Sequence, residues 1–165
     1  MGEILVLIVS AATQTSPPAW HLEYEVRNPG PASVWLIVDE ELVLSHAGVR
    51  IELSYARGKM RPGIQPFGYF APNVVEIPAG KGSRQTLEVA WPCRLSGIWN
   101  PVREAALPPG EYEVSVRIGY ASTPAPDAPE LDESIEAHVL RWQREAVSGP
   151  VRIVIPPYVA PTPDE

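Results

Sequence analysis

Proline constrains this chain more than any other residue. There are 20 in 165 positions, well above the ~5% of an average protein, and they are clustered rather than scattered. Pro17 adjoins Pro18, Pro29 stands near Pro31, Pro62 near Pro66, Pro108 beside Pro109, and Pro124, Pro126 and Pro129 share one short stretch. Proline has no N–H to give to a ladder and clashes inside a helix. Regular structure must therefore lie between the clusters.

Between them the apolar residues recur with period two, as in a strand that turns one face to a core. Trp20, Leu22, Tyr24 and Val26 alternate with His21, Glu23, Glu25 and Arg27, and the run ends at Asn28-Pro29-Gly30-Pro31, a strong turn signal. The pattern returns in Val49, Ile51, Leu53 and Tyr55, in Leu87, Val89 and Trp91, and in Tyr112, Val114, Val116, Ile118 and Tyr120. Residues 33–38 and 74–77, and Val151, Ile153 and Ile155, supply further short strands. The run at residues 4–9, all branched or leucine, predicts a strand buried on both faces.

The count comes to about eight strands with turn signals between them, which predicts an all-β, antiparallel β-sandwich. Leu131, Ile135, Val139, Trp142 and Ala146 share a helical face after Pro129, which predicts one short helix near residues 130–138 and extended chain beyond it, while Val139-Leu140-Arg141-Trp142 would also suit a strand with a bulge. The expected organisation is a single domain over residues 1–156 and an extended, proline-rich tail over 157–165.

Several segments resemble immunoglobulin-like and fibronectin-like sandwiches. Glu25-Val26-Arg27-Asn28-Pro29-Gly30 is similar to the end of an early strand in such domains, and Val75-Glu76-Ile77-Pro78-Ala79-Gly80 to a corner leading into the next. Leu107-Pro108-Pro109-Gly110-Glu111-Tyr112 resembles the turn and tyrosine ahead of the last hairpin. The resemblance implies an immunoglobulin-like fold, a signal shared by domains of many functions. Antibody domains pair two cysteines, and this chain has only Cys93. The tryptophan-bearing strand at Trp91 and the turn before Tyr112 also give a fainter likeness to bacterial intracellular proteinase-inhibitor domains.

Charge and motifs exclude more than they assign. The net charge is −7, and Arg57, Lys59 and Arg61 form the one compact basic group, so nucleic acid is not an expected partner. The apolar run near the N-terminus is too short to span a bilayer and follows Glu3, where a signal peptide would carry a cation. With Cys93 alone, no internal disulfide can form, and a cytoplasmic location without membrane insertion is expected. His21, His46 and His138 are far apart and form no metal-ligand motif. Asp39-Glu40-Glu41 lacks the spacing of a calcium loop. The cluster Asp127, Glu130, Asp132 and Glu133 suits a helix start. Cys93, beside Arg94, reads as a packed small side chain. No catalytic residue, metal site or cofactor is predicted.

The aromatic loops remain. Phe67, Tyr69 and Phe70 crowd one long connection and Trp99 lies in another, and long loops on a rigid scaffold are where binding concentrates. These four are the candidate binding residues of a non-enzymatic interaction module whose partner is another protein. The alternatives are an intracellular protease inhibitor presenting residues 59–66 and, third, a carbohydrate-binding sandwich using Trp35 or Trp99.

Overall fold

The computed structural model describes residues 3–15, 18–38, 42–58, 71–90, 93–95, 103–105, 107–125 and 134–157. In chain order its strands are β1 (Leu5–Thr15), β2 (Pro18–Arg27), β3 (Val34–Ile37), β4 (Val43–Ala47), β5 (Arg50–Ser54) and β6 (Val74–Ile77). There follow β7 (Gly82–Ala90), β8 (Cys93–Leu95), β9 (Arg103–Ala105) and β10 (Gly110–Ala121), then helix α1 (Ile135–Trp142), β11 (Arg144–Val147) and β12 (Val151–Ile155). Among the described residues no helix is long and apolar enough to cross a membrane.

The first sheet is antiparallel, in the order β1-β2-β7. Its middle strand follows the expected alternation: Trp20, Leu22, Tyr24 and Val26 are buried, while His21, Glu23, Glu25 and Arg27 face outward. The second sheet is built around β10, whose Tyr112, Val114, Val116, Ile118 and Tyr120 are all buried, again as the alternation requires. Arg117 is partnered to Ser54 of β5 and Val147 of β11, and Tyr120 to Leu36 of β3 and Arg144 of β11. A residue has one ladder neighbour on each side, so β5 and then β3 run along one edge of β10, and β12 and then β11 along the other. Inward side chains of both sheets form one apolar cluster, from Ile4 to Ile155. Burying each such side chain contributes about 1.5–3 kcal/mol relative to leaving it exposed.

The second sheet is mixed. β5 runs parallel to β10, whereas β3, β11 and β12 run antiparallel to it. Among the described residues there are twelve strands where the alternation predicted about eight, and the extra ones have specific origins. In β4, Val43-Leu44-Ser45-His46-Ala47 alternates poorly, yet it forms a hairpin with β5 through Gly48, which adopts φ 61°. Val49, expected inside the core, sits in that hairpin's turn and is exposed. Among the described residues, the two three-residue strands β8 and β9 pair only with each other.

Asn28 joins the two turns that the sequence singled out. Its side chain is buried, with Nδ2 donating to Ala32 O (2.8 Å) and Ile77 O (3.0 Å), and Oδ1 accepting from Gly30 N (3.1 Å). Its backbone N–H donates to Lys81 O and its carbonyl accepts from Gly80 N, both at 2.8 Å. The turn after β2 and the corner between β6 and β7 are thus fastened by one residue. A second fastening lies at the start of β10, where the Tyr112 hydroxyl donates to Pro108 O at 2.7 Å.

The helix begins later than expected. Ser134 is its N-cap, with Oγ accepting from Ala137 N at 3.1 Å, so the helical turns occupy Ile135–Trp142 rather than 130–138. Residues 130–133 lie outside the described residues. The extended chain expected beyond it is present as β11. Gln143, just past the helix, pairs its side-chain amide with the Arg57 backbone like a short ladder: Oε1 accepts from Arg57 N (2.8 Å) and Nε2 donates to Arg57 O (3.1 Å).

Candidate functional site

The expectation that fails most informatively concerns β1. A run of branched and leucine side chains predicted burial on both faces, but β1 is an edge strand with one face on the core. Val6 points inward and is buried, whereas Leu5 is 50%, Leu7 41% and Val9 46% exposed. Leu5 stands opposite Arg27 and Leu7 opposite Glu25, both outward residues of β2. Between Ile8, opposite Tyr24, and Ser10, opposite Glu23, Val9 is an extra residue, a β-bulge that reverses the alternation of the strand beyond it.

After the bulge β1 passes alongside β12, and the Thr13 hydroxyl donates to Val154 O at 3.0 Å, tying the edge of one sheet to the edge of the other. β11 and β12 carry exposed apolar residues of their own, Val147 and Val154. Among the described residues, five of the seven large apolar side chains that are exposed belong to the strands flanking this seam: Leu5, Leu7, Val9, Val147 and Val154. Edge strands of soluble proteins ordinarily carry charge or proline to discourage contact. β1 has no charged residue in its eleven positions.

The charged side chains of β2 beside the apolar row have partners within the chain. Arg27 donates to Glu25 at 2.9 Å, Arg84 to Glu23 at 3.1 Å, and His21 Nδ1 lies 3.5 Å from Glu88. The hydrogen bond from Arg27 is the main cause holding the Glu25 carboxyl below the ordinary carboxylate range.

An open groove of about 510 Å³ crosses the outer face of the second sheet and is bounded at one side by Val147, Ser148 and Pro150. Its floor includes Ser45, Arg50, Glu52, Glu113 and Ser115. Glu52 is held bidentately by Arg117, whose Nε and Nη2 donate at 2.8 and 3.0 Å, and Arg117 Nη1 also donates to Glu145 at 2.6 Å. Those bonds, to Glu52 first, raise the Arg117 pKa further above its ordinary value. Glu113 lies 3.7 Å from Arg50. Each of the two carboxylates in the groove is engaged by an arginine.

The candidates drawn from sequence fall elsewhere. Phe67, Tyr69, Phe70 and Trp99 lie outside the described residues, as do residues 59–66 and the acidic groups at 39–41 and 127–133. Cys93 opens β8. The three histidines stand on separate elements: His21 on β2, His46 on β4, and His138 buried in α1, with Nδ1 3.4 Å from Arg141 Nη2. No grouping of three or more His, Cys, Asp or Glu suited to a metal ion occurs among the described residues. Trp35 is half-buried, on the phase opposite Val34 and Leu36.

The apolar row was visible in the sequence but misassigned. Odd positions Leu5, Leu7 and Val9 are as apolar as Val6 and Ile8 between them, so periodicity could not tell a doubly buried strand from an edge strand with a sticky outer face. The chain matches no protein family, no curated protein and no solved structure.

Proposed function

We propose that this chain is a non-enzymatic protein-interaction module of immunoglobulin-like build, docking through the outer row of β1. The observation that carries the docking surface is the outward row Leu5, Leu7 and Val9, exposed on an edge strand that has no charged residue. The immunoglobulin-like build is supported by the Tyr112 hydroxyl bonded to Pro108 O, the arrangement of a tyrosine corner. A binding rather than catalytic role is supported by the groove, whose carboxylates are neutralised by Arg117 and Arg50 rather than left for acid–base work.

A photoreactive residue substituted for Leu7 tests the surface, with the same residue at Thr86, on the outer face of β7, as control. The expected result is a discrete covalent adduct with one protein from position 7 and none from position 86. No adduct from position 7, or equal labelling from both positions, would contradict the assignment.

A further inference from the structure

We draw no further inference here: the strongest candidate, the outward apolar row of Leu5, Leu7 and Val9 on the edge strand β1, belongs to the docking surface already described, and nothing in the structure shows what covers it.

Discussion

Asn28 shows how much one residue can carry when it lies between two turns. Its amide satisfies two backbone carbonyls and one N–H that would otherwise be buried or half-buried without partners, and leaving such groups unmatched costs about 1–3 kcal/mol each. Asn28→Ala should therefore destabilise the chain by about 2–4 kcal/mol in denaturant unfolding, although the lost side chain is small. Tyr24 acts in a different way. Burial, and then the neighbouring Tyr55, push its phenol above its ordinary value of 10.0, and burial does the same to Tyr55. A raised acid pKa means that the unfolded state releases its proton first as pH increases. The stabilisation is present in full below about pH 10 and is lost as the pH climbs toward the folded-state values. Unfolding free energy should accordingly fall on the alkaline side, and Tyr24→Phe should flatten that fall when the two chains are compared at about pH 9 and about pH 11.

Among elements, β10 is the organiser, and the crossover between β11 and β12 shows how its long edge is kept satisfied. Where the two short strands part, Ser148 fills the gap: its Oγ accepts from Val116 N and its own N–H donates to Val116 O, both at 2.9 Å. Ser148→Ala keeps the backbone bond but strips the Val116 N–H of its partner, and should cost about 1–3 kcal/mol in thermal or denaturant unfolding, more than an exposed serine would. Strands such as β2 and β10 were legible because alternation and burial coincide in them. β4, β8 and β9 were not, since Val43-Leu44-Ser45-His46-Ala47 alternates poorly and strands of three residues carry too few positions to set a phase. The onset of α1 depended on the Ser134 cap, which competes with Pro129 as a start signal and is not distinguished from it by apolar spacing alone.

At the scale of the molecule, the proline clusters correctly separated strands, and the apolar phases of β2 and β10 placed one face of each sheet on the core. Sheet order was not available from those signals. The parallel contact of β5 with β10 and the flanking of β10 by β12 and β11 arise from pairing between distant segments, which no local pattern encodes. The same limit hid the candidate site, because whether Leu5 and Leu7 face core or solvent depends on what lies above the first sheet. The melting midpoint of a Leu5→Lys, Leu7→Lys double variant, taken at a concentration where chains do not associate, tests the account most directly. If the row is an outward docking surface, the midpoint stays within about 3 °C of the parent, since a surface change is worth under ~1 kcal/mol. A fall of about 10 °C or more, the scale of a disrupted core, would contradict the account by showing that these leucines hold the fold together.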